Sequence, residues 1–247
     1  MLVFRGRAAT IEADRAASER LRSVAAGGEP AVRVWIPHRQ VAFGRRDANR
    51  DGYGRAREAA RTRSFPPVQR DVGGRAVAYD GETTIAFARA EPVEDLRQGT
   101  ADRYERTTAA VECALSSVGC ETERGEPDGA FCPGTHSLSI PDSSPDRPSS
   151  RKVVGIAQRV RRDAAMTAGI AVVDAREEIV DVLEAVYDAL EVPFDPDAVG
   201  AIAAGGDDVV DPEAVRSSLE RALVGDDRPR IRPIADLEPD SVESGVE

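Results

Sequence analysis

Cys132 lies in GAFCPGTHSLSI, a loop bounded by Gly129 and Gly134 and stiffened by Pro133. Loops of this kind present reactive groups, and the thiolate of a cysteine is a strong nucleophile. Further along, RKVVGIAQRV carries Lys152, the only lysine in the chain. Lys and Arg together number 33 in 247 residues, so every other basic side chain is Arg. A compact ammonium differs from a planar guanidinium in size, hydration and ability to give up its proton. A chain that writes its cations as Arg would keep one lysine where a guanidinium cannot serve. Upstream, QRDVGGRAVAYD puts Gly73 and Gly74 between two apolar runs. There a backbone can pass close to a ligand and aim N–H groups at it. A thiol, a small cation and an N–H-lined turn together suit acyl transfer through a thioester. Taken singly, each has a plainer reading: a buried or incidental cysteine, a solvated lysine, a simple hairpin turn. His136 is the alternative base. Four residues beyond Cys132, it lies about 13 Å away on an extended chain at ~3.3 Å per residue, so it reaches the thiol only if CPGT folds back.

Elements must bring these segments together. TIEADRAASERLRSVA (10–25) reads as an amphipathic helix capped by Thr10, with Glu12 and Asp14 in its first turn. AVRVWIPHRQVAF (31–43) reads as strands broken at Pro37. DGYGRAREAARTR is a short Arg-rich helix, and VQRDVGGRAVAYD is a strand, a glycine turn and a strand. TTIAFARA is a further strand. ADRYERTTAAVECALSS (101–117) is a helix with Ala109, Val111, Ala114 and Leu115 apolar and Cys113 on or near that face. Cys120 follows at a turn and reads as another small buried hydrophobe. KVVGIAQRV and TAGIAVVD read as a β-hairpin pair or two neighbouring strands. REEIVDVLEAVYDALEV and DPEAVRSSLERALV are amphipathic helices, the second with Asp211 as cap and Pro212 in its first turn. PDSSPDRPSS is a polar loop, and the acidic end from 236 to 247 reads as disordered. Strands and helices mix without strict alternation, which points to a single α+β domain over 1–235.

The order VGGRAVAYD, FCPGTHSLSI, RKVVGIAQRV resembles the catalytic domain of the biotin/lipoate protein ligase family, and within it the cysteine-dependent octanoyl transferases. The likeness begins at VWIPHRQVAFGRRD, where Gly44 and Asp47 match a Gly-x-x-Asp motif, and runs over roughly 32–173 through GIAVV. It implies a mixed β-sheet flanked by helices. It implies that Cys132 is the nucleophile carrying the acyl group, and that Lys152 lowers the thiol pKa and contacts the acyl carbonyl. It implies that Arg70, Gly73, Gly74, Arg75, Ala76 and Val77 line the acyl pocket, with Gly155 and Gln158 on the strand beside it. The implied activity moves an octanoyl or lipoyl group onto a lysine of a lipoyl domain or of the glycine-cleavage H protein. The donor would be an octanoylated carrier, either H protein or acyl carrier protein. No cofactor is expected. The alternative within the family, an ATP-dependent lipoate–protein ligase, would need ATP and magnesium but not Cys132. A non-catalytic lipoyl-domain binder is the third reading. Three features depart from the family pattern: the insertion PDSSPDRPSS, His136 in place of an aromatic residue, and DGETTIAF without an asparagine after Asp-Gly. A looped-out insertion is cheap, because closure cost grows slowly with length.

Composition narrows the remaining classes. Net charge is −11 and the pI is near 4.9. A nucleic-acid binder would present a basic face, so nucleic acid is not expected as a partner. No apolar run reaches the roughly 18 residues a membrane span needs. The first residues carry acids where a signal peptide needs an apolar core, so the chain is read as cytoplasmic. Three cysteines and two histidines, without CxxC or HxxxH spacing, suggest neither a disulfide framework nor a metal site. High Asp and Glu with almost no Lys is similar to salt-adapted proteomes, where acidity is a solubility device.

Overall fold

The computed structural model describes residues 1–70, 73–95, 99–141, 150–205 and 210–237. Asp71, Val72, most of the Ser/Pro-rich insertion (142–149) and the acidic end from 238 lie outside them.

The chain opens with β1 (Leu2–Arg5), then α1 (Ile11–Ala26), whose Thr10 hydroxyl accepts the Ala13 N–H as expected. β2 (Ala31–Trp35) and β3 (Gln40–Phe43) flank the Pro37 break. Next come α2 (Arg45–Ala48), α3 (Tyr53–Thr62), β4 (Pro67–Gln69), β5 (Val77–Tyr79) and β6 (Ile85–Pro92). α4 (Thr100–Ser116) precedes β7 (Glu123–Arg124), β8 (Ser137–Pro141), β9 (Ser150–Val160) and β10 (Ala164–Ala171). α5 (Arg176–Ala189), α6 (Pro212–Val224) and β11 (Arg230–Pro233) complete the described elements.

An eight-stranded mixed sheet runs β11-β1-β2-β6-β10-β9-β8-β7, and a three-stranded sheet runs β4-β3-β5. Alternation along β2 and β6 sets the layers. Val32, Val34, Ile85 and Phe87 face α4 and α6 through Val111, Leu115, Val215 and Leu219. Ala31, Ala88 and Ala90 face the other way, onto Ala17, Leu21 and Ala25 of α1. The small sheet packs on α3 and α5 in a separate core around Phe43, Phe65, Ile179, Val182, Leu183 and Val186. This is the expected α+β architecture, a mixed sheet flanked by helices. No helix among the described residues is long and apolar enough to cross a membrane.

Two details differ from the sequence reading, and two lie beyond it. The glycine segment does not close a hairpin: β4 and β5, on either side of what we call the glycine crossover, lie on opposite edges of β3, one parallel and one antiparallel. Ala109 and Cys113 are exposed, because the buried stripe of α4 runs through Thr107, Thr108, Val111, Ala114 and Leu115. β2 and β3 part into different sheets. β1 and β11 pair in parallel although RIRP carries no apolar run, since β11 is an edge strand with every residue exposed.

Candidate active site

The loop between β7 and β8 presses Cys132 against the glycine crossover. The Cys132 backbone has φ +42°, a left-handed conformation rare outside glycine, and the following proline disfavours compact backbone at this position as well. Such strain persists only where surroundings enforce it. The Cys132 N–H donates to Tyr187 Oη (2.7 Å), and the Tyr187 hydroxyl donates in turn to the Ala76 carbonyl (3.0 Å). Cys132 Sγ accepts from the Arg75 N–H (3.3 Å) and from Arg70 Nη2 (3.3 Å), and that same Nη2 donates to the Arg75 carbonyl (2.6 Å). Gly74, at φ +90°, makes this possible: a Cβ there would stand 2.9 Å from Sγ and 3.0 Å from Arg70 Nη2. Burial alone would lower the Arg70 pKa, but attraction to Cys132 and Tyr79 outweighs it and raises the value above the ordinary one. The desolvated hydroxyl of Tyr187 is pushed well above the usual tyrosine range, so it stays protonated as a donor.

Lys152 arrives through a β-bulge. Between β8 and β9 the register slips, so Leu138 pairs with Val154 while Ser139 pairs with Lys152. The extra residue reverses the strand's alternation. Without it Lys152 would share the face of Val154 and Ile156, against α4. With it Lys152 shares the face of Gly155, whose missing Cβ would lie 3.2 Å from Lys152 Cε. Lys152 is 1% exposed. Its ammonium donates to Glu126 Oε1 (2.9 Å) and Oε2 (3.1 Å), to the Phe131 carbonyl (3.1 Å) and to the Cys132 carbonyl (3.2 Å). The ammonium donates to the carbonyl of Cys132, and the cation against Sγ is Arg70, which was expected only to line the pocket. The Lys152 stem lies in the space that Gly155 leaves.

Asp47 is fully buried and knits the crossover to β3. Its carboxylate accepts the Gly44 N–H (3.0 Å) and Arg75 Nη1 (3.3 Å), while a Cβ at Gly44 would meet the Gly74 carbonyl at 2.1 Å. Desolvation raises the Asp47 pKa despite these donors. Ala76 and Val77 are buried in the small-sheet core, and Gly73 faces open space. Gln158 and His136 do not join the thiol. Gln158 is three residues past Gly155, so it points to the opposite face, where it accepts from Arg103 Nε (3.2 Å) and donates to Thr167 Oγ1 (3.0 Å). The His136 ring stacks on Tyr104 of α4, centroids 3.7 Å apart. The sequence reading missed Glu126 and Tyr187. Nothing local marks Tyr187, which reads as one more core position of α5, and Glu126 reads as one acid among many.

The site thus combines a mixed sheet, a strained cysteine beneath a glycine crossover and a buried lysine beside it. The model of the lipoyl protein ligase A/B catalytic domain matches residues 14–224, and the chain belongs to that family. An octanoyl-[GcvH]:protein N-octanoyltransferase of Kyrpidia tusciae is 30% identical over 177 residues, covering 71% of this chain and 56% of the relative. A protein of the same name from Geobacillus kaustophilus is 30% identical over 56% of this chain and 46% of the relative. The chain thus spans about half the length of these curated relatives. Among solved structures, a lipoate-protein ligase A bound with ATP superposes with a TM-score of 0.70 at 18% identity, covering 96% of this chain and 91% of that one. A bipartite lipoate protein ligase from Thermoplasma acidophilum gives 0.65 at 17%, covering 96% and 89%. At such identities the superpositions establish the fold alone.

Proposed function

We propose that this chain is an acyltransferase of protein lipoylation that carries an octanoyl or lipoyl group on Cys132 and delivers it to a lysine of a lipoyl domain. The observation that carries this reading is the thiol itself, held by two N–H donors in a strained loop against a glycine that admits no side chain. A ligase or a binding module has no use for such a thiol. The names of the relatives support the same chemistry, since they couple octanoyl transfer with GcvH. The donor in this reading is an octanoylated carrier, H protein or acyl carrier protein.

In the first step the Cys132 thiolate attacks the acyl carbonyl. The Sγ–C bond forms, the bond from the acyl carbon to the donor's nitrogen or sulfur breaks, and the leaving group takes the proton the thiol gave up. In the second step the acceptor lysine attacks as a free amine, the C–S bond breaks, and the nitrogen sheds a proton as the thiolate is restored. Splitting one hard exchange into two easier ones is the advantage of a covalent carrier. The N–H donors of the crossover lie where negative charge develops on sulfur.

Intact-mass measurement after mixing the protein with octanoylated H protein or octanoyl carrier protein tests this. An octanoyl adduct that is labile to hydroxylamine and absent in Cys132→Ala is the expected result. ATP-dependent lipoylation that survives Cys132→Ala would replace the transferase with a ligase. Absence of both adduct and transfer would leave a binding module.

A further inference from the structure

We propose that Arg70 is a catalytic cation that holds the Cys132 thiolate, while Lys152 holds the loop. This deepens the reading of Cys132 as a nucleophile and rests on it. The geometry divides the two roles. Arg70 touches the reacting atom: its Nη2 is 3.3 Å from Sγ. The guanidinium is itself fixed by the Arg75 carbonyl at 2.6 Å, so the same crossover supplies both donors to sulfur, the Arg70 side chain and the Arg75 N–H. One cation and one backbone amide thus both donate to the sulfur, and donors of this kind stabilise the negative charge of an attacking or departing sulfur. The planar fork suits this site because one nitrogen can serve sulfur and a carbonyl at once. Arg70 Nε is buried and has no acceptor among the described residues. A donor is therefore left free on the same guanidinium for a substrate oxygen, and the thioester oxyanion is the group of that chemistry that forms beside Sγ.

Lys152 is occupied differently. Its four acceptors are both Glu126 oxygens and the carbonyls of Phe131 and Cys132. Glu126 also accepts from Ser137 at the start of β8. The ammonium therefore ties β9, the 126 turn and the strained residue into one knot, and with Tyr187 it enforces the left-handed backbone at Cys132. This explains the sole lysine on different grounds. The ammonium makes compact, convergent bonds at the end of a stem that passes through the space Gly155 leaves open.

The test is the rate at which iodoacetamide alkylates Cys132, followed by peptide mass spectrometry in the full-length chain, so it needs no acyl donor and stands apart from the transfer assay. Exposed Cys113 reports the intrinsic reactivity of an accessible thiol. Buried Cys120, with its thiol pushed up to about 11 by burial and by Glu121, reports folding, because it reacts quickly only if the chain opens. At pH 7, R70Q is expected to slow Cys132 alkylation by roughly 10- to 1,000-fold, the range an adjacent cation commands. R70K keeps the charge and loses the fork, so its rate should fall between the two. K152M, which frees the loop, is expected to lower thermal stability and acyl transfer together. Wild-type alkylation rates in both Arg70 variants would overturn the assignment. Normal Arg70-dependent alkylation with no acyl transfer from any carrier would instead uphold the assignment and sink the proposed function.

Discussion

At Gly74 the site depends on an atom that is absent. An alanine there would place Cβ 2.9 Å from Cys132 Sγ and 3.0 Å from Arg70 Nη2, on a backbone held at φ +90°. Both the sulfur and the guanidinium would have to move, and the backbone would be strained even if they did. Gly73, one residue earlier, has nothing within 4 Å of the same position. The pair gives a contrast that a general sensitivity of the turn would not. G74A should reduce acyl transfer and Cys132 alkylation at neutral pH at least a hundredfold, while G73A should leave both within about threefold. Steady-state transfer and alkylation rates on the two variants decide it, and equal losses would mean the turn is needed only for its flexibility. At this scale the sequence was partly legible. A thiol between Gly and Pro and a sole lysine were visible because each breaks a local or compositional pattern. Their pairing with Arg70, Glu126 and Tyr187 was not, because those partners are distant in sequence and ordinary in type.

Elements deliver these side chains through offsets that periodicity alone cannot reveal. A period-two reading of RKVVGIAQRV puts Lys152 on the face of Val154, Ile156 and Gln158. The bulge moves Lys152 to the other face and leaves Gln158 with Arg103 on α4. Strong apolar periods made α1, α5 and α6 readable, whereas crossover topology at the glycine segment and the parallel edge pairing of β11 depend on distant chain. α5 bears directly on the site. Its Tyr187 hydroxyl bridges the Cys132 N–H and the Ala76 carbonyl, joining the nucleophile loop to the crossover. Y187F keeps the ring and leaves two buried backbone groups without partners, at a cost of about 1–3 kcal/mol each in such cases. In a chain of this size 1 kcal/mol moves the midpoint by ~2–4 °C. The expected result is a fall in Tm of at least about 3 °C together with a tenfold or greater loss of transfer. An unchanged melting curve would show that the hydroxyl bridge does not hold the strained loop.

The molecule as a whole carries 44 acidic and 33 basic side chains, for a net charge of −11. Many surface arginines sit against carboxylates: Arg124 with Glu105 and Glu112, Arg63 with Asp181, Arg216 with Glu213. Added salt acts on two opposing effects. It screens these exposed pairs, each worth about 0–1 kcal/mol, which destabilises the fold. It also screens the repulsion among the excess acids, which stabilises it. Contact pairs a few ångströms apart are weakly screened by a Debye length of about 10 Å at 0.1 M, whereas repulsion summed across the whole surface acts beyond that distance and is screened strongly. The buried ion pairs, Arg33 with Asp14 and Lys152 with Glu126, are the least exposed to salt of all. Repulsion should therefore dominate the response. Thermal melts of the full chain between about 10 mM and 1 M KCl should show Tm rising by several degrees, most steeply below about 0.3 M, where the Debye length shrinks through the spacing of surface charges. A Tm that falls over that range would mean the arginine–carboxylate pairs, and not the excess negative charge, set the stability of this surface.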